Sequence, residues 1–432
     1  MIHELAPGGA AAAGTAPPAA RRLRVLSTGN HASYPAAVFS MWRALLRGYD
    51  FELDDQSFDT RYCKITGTCS SDHRFAAIGE LLRSTVVETC GGLFLKGWED
   101  MAALAEAFSQ SISGGSGGAP GLEADVLLCT HPPYSCRLFW PLVLDHSKPL
   151  LGFFGGTLEA HVPSSGAEAW LHDFLEMSRH PRVQFAAISP FLAEKMRFQT
   201  GADVPVARGF GFHVIEQGIA YFPSRPEVLV WKNSGECEDN QAAFDGLLER
   251  LAAEAGGGGP ALRFQHLRAL RAAGDASYST IASFRAVVFV PYEVLLMTFY
   301  ELYHVAIPMF IPTLELASFF LYRGPVTYPH CGMFLEGKDD SEEVVGDFVP
   351  RPRAPYSPFA RDRITDRVAW LEAYTDWYRF PHISGAEAST LGGGGRGVGG
   401  AGGGRIVDTS SIPSNPSGTT PRWDVVIREV SW

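Results

Sequence analysis

A chain of 432 residues with 46% hydrophobic and 12% aromatic content can bury two or three sizeable cores. Its net charge of −11 excludes a dedicated nucleic-acid binder, whose footprint is basic. No uninterrupted apolar stretch reaches the roughly 18 residues of a membrane-spanning helix.

The N-terminal 20 residues are rich in Ala, Gly and Pro and read as disordered. They lack the basic-then-apolar pattern of a secretory signal, so a cytoplasmic location is expected. The Arg21-Arg22 pair leaves an organelle open, and a Golgi lumen is not excluded. Seven cysteines occur, with no CxxC pair and no zinc-ligand spacing. Reduced thiols are the simplest account, and a Cys63–Cys69 bridge stays open.

Residues 24–26 begin a first strand. The small polar loop Ser27-Thr28-Gly29-Asn30 follows, then a helix over 36–46. A strand, a small-residue loop and a helix suit a nucleotide- or sugar-facing turn, which makes Gly29 a binding candidate. A plain βα turn is an equal reading, because the GxGxxG fingerprint is missing. Residues 50–75 are polar and irregular. Helices are expected over 78–87 and 98–108, with a flexible loop at 111–121. Then strands at 124–130, 149–154, 183–188 and 204–207 alternate with helices at 135–144, 167–178 and 190–199. This is the pattern of a doubly wound parallel sheet over 21–215.

The glycine- and proline-bearing stretch 208–226 breaks the alternation and is taken as a domain boundary. A second α/β domain is expected over 226–335. Its strand 227–231 ends at Lys232, an amphipathic helix covers 241–255, and a glycine loop covers 255–260. A strand at 262–267 and a short helix at 278–284 follow. Residues 325–361 are proline-rich and acidic. A helix within 360–383 packs an aromatic stripe back onto the molecule. The segment 384–421 is Gly-rich and reads as disordered. The tail 422–432 allows a terminal strand.

The chain's densest stretch is 284–312, FRAVVFVPYEVLLMTFYELYHVAIPMFIP. An apolar β-branched run (287–290), a helix (295–304) and a strand (309–311) form a βαβ unit. Two acids interrupt it. Glu293, preceded by Tyr292, follows the first strand, where ligands of open α/β sheets bind. Glu301 lies eight residues later on the helix, about 12 Å of rise away.

Two α/β halves with these acids resemble GT-B glycosyltransferases, and in particular the retaining sucrose-synthase/glycogen-synthase-like class of family 4 type. That class carries a Glu, seven residues, a second Glu, then a small run ending in Gly-Ile/x-Pro; here the stretch is Glu293, seven residues, Glu301, then Ala306-Ile307-Pro308. The segments ISPFLAEKM (188–196) and PLLGFFGGT (149–157) are similar to the family's first-domain segments. The resemblance implies two Rossmann-like domains facing a cleft. It also implies a nucleotide-diphosphate sugar as donor substrate and a glycan, lipid or protein as acceptor; no Asp-x-Asp-like metal motif stands where it would serve a diphosphate, so no metal and no further cofactor is expected. Glu293 would contact the donor sugar or its phosphate, with Tyr292 beside it. Glu301 would hold the ribose hydroxyls, and Lys232 would neutralise the diphosphate, with Arg208 and Arg285 as weaker candidates. His161 is the histidine nearest the acceptor-side strand end. The chain departs from the family in having no glycine after Glu293 and Gly155-Gly156 where the family places its histidine. Two rivals therefore remain: a non-catalytic glycosyltransferase-like scaffold, and a sugar-nucleotide epimerase.

Overall fold

The computed structural model describes residues 22–29, 33–46, 49–55, 86–89, 92–95, 98–113, 123–158, 162, 164–231, 246, 248–250, 253, 263–291, 295–314, 317, 364–380 and 385–386. Two five-stranded parallel sheets dominate it. The strands of the first are β1 (Arg22–Thr28), β2 (Asp50–Asp55), β5 (Val126–Cys129), β6 (Leu150–Phe154) and β7 (Val183–Ala187), in the order β2-β1-β5-β6-β7. Between β2 and β5 in sequence, β3 (Val86–Thr89) and β4 (Gly92–Leu95) pair as an antiparallel hairpin. The inner strands β1, β5 and β6 bury most of their residues, as strands covered on both faces must.

Helices α1 (Ser33–Leu45), α2 (Asp100–Ser113), α3 (Trp140–His146) and α4 (Ser164–Ser178) lie between these strands in sequence, and α5 (Pro190–Thr200) follows β7. Local chemistry sets the limits of α5. The Ser189 side chain accepts from the Leu192 amide at 3.3 Å, Pro190 occupies the first turn, and Gly201 ends the helix at φ +75°.

In the second sheet β8 (Val228–Trp231), β9 (Phe264–His266), β10 (Ala286–Phe289), β11 (Met309–Pro312) and β12 (Gly385–Ala386) run parallel in the order β12-β11-β10-β8-β9. Among the described residues, this half carries α7 (Leu267–Ala272), α8 (Tyr278–Ala282) and α9 (Met297–Val305). The expected βαβ unit is present, with β10 and β11 paired in parallel and α9 between them in sequence.

Two segments tie the sheets together. The first is the crossing from β7 to β8, which carries the short helix α6 (Phe212–Ile215). The second is α10 (Ile364–Tyr374) with the 3₁₀ turn Trp377–Arg379. Trp370 packs edge-on against Phe191 and Phe198 of the first half, while Trp377 stacks on Phe299 at 4.7 Å and meets Phe289 in the second. All six belong to one continuous buried core. Among the described residues no helix is long and apolar enough to cross a membrane.

Several local expectations are corrected. Residues 50–55, expected to be irregular, form edge strand β2; its side chains alternate and it pairs with β1 from Arg22↔Asp50 to Ser27↔Asp55. Val86 and Val87, assigned to a helix, lie in hairpin strand β3, as their β-branching favours. The helix expected at 135–144 opens as a 3₁₀ turn, Pro133–Phe139, before α3. Residues 204–207 make one isolated bridge, Ala187↔Val206, rather than a strand. Gly385 and Ala386, read as disordered, pair with β11. Cys129 and Cys136 form a disulfide, with Cα atoms 5.0 Å apart, where free thiols were expected. The strand end and the following turn bring them together. The readings of 1–20, 56–75, 255–260, 325–361 and 422–432 fall outside the described residues, as do Cys63 and Cys69.

Candidate functional site

Each sheet has one point where the strand order reverses. Ligands of open α/β sheets bind outside the carboxyl ends of the strands at that point. In the first sheet it lies between β1 and β5. Gly29 leaves β1 there, and its missing side chain matters. A Cβ at Gly29 would stand 2.6 Å from Thr130 Oγ1 and 2.9 Å from the His131 carbonyl. Beside it, the Tyr34 ring occupies the space over Gly155, where a Cβ would come within 1.9 Å. Tyr34 also meets His131 at 5.8 Å and Phe153 at 6.4 Å between ring centroids.

The side chains around this point are polar yet buried. Ser27, Thr28, Thr130 and Ser135 are each fully buried. Their hydroxyl oxygens have no hydrogen-bond partner among the described residues. Buried hydroxyls normally find a partner, so this strand edge is chemically unlike the apolar sheet below it.

In the second sheet the order reverses between β8 and β10. These strands pair in register from Ala286↔Val228 to Phe289↔Trp231, so they end side by side. Lys232 is the residue after β8, and Pro291-Tyr292-Glu293 follow β10 within four residues. Helix α9 begins next. Its N-cap is Leu296, which offers no side-chain hydrogen bond to the first turn. Ser, Thr, Asp and Asn are the favoured residues at that position because they satisfy the free N–H groups.

Glu301 stands in the second turn of α9 and is 2% exposed. Its Oε1 lies 3.2 Å from His213 Nε2 of α6. The Tyr278 hydroxyl also hydrogen-bonds to it; burial first, then the Glu301 charge, raise the Tyr278 phenol well above its ordinary pKa. The phenol therefore stays protonated and donates. Gly211 lets the two segments touch, since a Cβ there would be 2.7 Å from the Glu301 Cα.

Of the sequence-derived candidates, the structure places Gly29 at the first switch point and Glu301 under α6. It does not bring these two together. Glu293, Tyr292, Lys232 and His161 lie outside the described residues. Arg208 is committed elsewhere, with its Nε 2.7 Å from Asp376 Oδ2. Asp173, which had no evident partner in the sequence, pairs with Arg137 at 2.9 Å. Sequence reasoning missed the hydroxyl cluster, although Thr28 and Thr130 each sit at a strand end as small polar residues. It also missed His213. No local signal marks that residue, because its partner is 88 positions away.

No family model matches the sequence, and no curated protein matches it. Among solved structures the chain is similar to CalG4, the calicheamicin glycosyltransferase. That match covers 82% of this chain and 98% of the other at 11% identity and a TM-score of 0.34. It is also similar to the glycotransferase of kitacinnamycin, over 82% and 96% of the two chains, at 11% identity and a TM-score of 0.33. The architecture itself, two doubly wound parallel sheets, stands on this chain's own strand pairing.

Proposed function

We propose that this protein transfers a sugar from a nucleotide-diphosphate sugar to an acceptor that is a glycan, a lipid or a protein. The observation that supports the reading best is the second switch point. There, two paired strands end side by side, and a helix whose N-terminus lacks a side-chain cap follows. Free N–H groups and the helix dipole at such an end favour an anion such as a diphosphate.

In this reading the donor lies against the second half. Glu293 contacts the sugar or its phosphate, with Tyr292 beside it, and Lys232 neutralises the leaving diphosphate. His161 and the Gly29 edge belong to the acceptor side. Loss of a diphosphate leaves positive charge on the sugar and negative charge on the leaving group. Fixed dipoles and cations stabilise that separation without reorganising in the transition state. The family resemblance adds retention of anomeric configuration, and the donor serves as a substrate with no metal or further cofactor. Glu301 is held by His213 and Tyr278, so a ribose contact would require their release.

A panel of nucleoside diphosphates and their sugars tests the reading by thermal shift. Binding to the native state raises the melting temperature in a concentration-dependent way. A shift with at least one diphosphate supports donor binding. A flat panel at millimolar concentration argues against it.

A further inference from the structure

The crossing segment between the halves is pinned on both sides. Toward the first half, Glu216 forms a bidentate pair with Arg43 of α1. Toward the second, His213 bonds to Glu301 of α9. The two pairs differ in burial. Arg43 and Glu216 are about half and a third exposed, whereas the His213 and Glu301 side chains are 5% and 3% exposed. An exposed pair holds weakly. A buried carboxylate is costly unless donors surround it, and breaking such a pair is strongly unfavourable. The firm attachment of α6 is therefore to α9.

The contact is built, not incidental. Gly211 supplies the close approach of the backbone. The Tyr278 ring stands edge-on to His213, with centroids 6.4 Å apart, and its hydroxyl reaches the same carboxylate. Phe210 and Phe212 flank the site and both meet His304 of α9 edge-on, at 5.6 and 5.5 Å. His213 Nδ1 has no partner among the described residues. That leaves the ring proton on Nε2, donating to Glu301.

We propose that Glu301 is a positioning residue: through His213 it fixes α9, and so the helix N-terminus at the second switch point, against the crossing segment. This rests on the transferase reading for its consequence, since α9 is the helix assigned there to the donor diphosphate. It gives the second acid of the motif a role that does not touch the ribose. The role is geometric: a helix end that is to meet a phosphate must not tilt, and a misplacement of about 1 Å can cost on the order of 100-fold in rate.

Two variants separate positioning from direct ligation. His213→Phe keeps the ring volume and removes the hydrogen bond. Glu301→Gln keeps the volume and a hydrogen-bonding carbonyl. Amide hydrogen exchange on the full chain is the first readout. Exchange in 297–306 and in 212–218 should accelerate together by about tenfold in His213→Phe, with β5 and β6 unchanged. Glu301→Gln should show a smaller effect. The second readout is the affinity for the nucleoside diphosphate that gives the largest thermal shift. Both variants should weaken it, and His213→Phe should weaken it at least as much as Glu301→Gln. Unchanged exchange in 297–306 of His213→Phe would overturn the proposal. So would a loss of affinity in Glu301→Gln with none in His213→Phe, which marks Glu301 as a direct ligand. If no diphosphate binds the unaltered chain, the transferase reading fails, while the exchange result still decides whether the latch exists.

Discussion

Asp376 and Arg208, 168 positions apart, meet at 2.7 Å where the C-terminal segment crosses back over the first half. Asp376 is 2% exposed, and its other oxygen accepts from the Tyr300 hydroxyl of α9 at 3.4 Å. One carboxylate thus touches the crossing segment, the α9 helix and the C-terminal strap. Asp376→Ala should destabilise the chain by about 1–3 kcal/mol, the usual cost of removing a hydrogen-bonded charge. Arg208→Ala should cost more, because it leaves the Asp376 carboxylate, 3% exposed, buried without its cation. Denaturant melts of the two variants check the order. Equal losses would show that Asp376 acts through Arg208 alone.

Burial lowers the pKa of His304, and the nearby His213 adds to that, while its bond to the Tyr300 carbonyl opposes it. A histidine held below its unfolded value binds fewer protons folded than unfolded. Its contribution to stability is therefore complete above about pH 6.5 and is lost as pH falls toward the lowered value. The melting temperature should drop between pH 7.5 and 5.5, and His304→Gln should flatten that slope. A slope left intact by His304→Gln would assign the pH dependence to another group.

Ala306 ends α9 at φ +68°, in the left-handed region. A side chain there costs roughly 1–2 kcal/mol, part of which a glycine returns through its greater freedom in the unfolded chain. Ala306→Gly should raise stability by up to about 1 kcal/mol, seen as a higher denaturant midpoint at unchanged slope.

Gly155→Ala should do the opposite. Its new methyl would overlap the Tyr34 ring at 1.9 Å, and the ring is wedged between His131 and Phe153. Overpacking of this kind costs about 1–3 kcal/mol. Gly201→Ala has open space around it but a φ of +75°, so it measures the backbone penalty alone. Gly155→Ala, at a position without a positive φ, reads the steric cost by itself.

The alternation of apolar runs and helices made the two parallel sheets legible, because strands buried on both faces must be continuously apolar. Strand β2 was not, because it lies at a sheet edge and four of its six residues are acidic, DFELDD. Its acids pair instead with basic neighbours, Arg22 with Asp50 and Glu52. The Cys129–Cys136 bridge was hidden because both cysteines look like ordinary core residues in a strand and a helix. Along the sequence, Glu293 and Glu301 stood out as charges in an apolar frame. That signal identifies exceptional residues but not their partners. Which group faces Glu301 is decided by the crossing segment 208–226, whose path no local periodicity encodes.

The proposed transferase carries the diphosphate of its sugar donor at the second switch point, with Glu293 at the reacting end. The most direct measurement is release of nucleoside diphosphate from a nucleotide sugar by the full chain and by Glu293→Gln. The unaltered protein should release free diphosphate with a sugar transferred to an acceptor or to water. Glu293→Gln should lose on the order of 100-fold or more in turnover while keeping its melting temperature. A scaffold would release nothing from any nucleotide sugar, and an epimerase would return an altered sugar still joined to its nucleotide; either result would contradict the account.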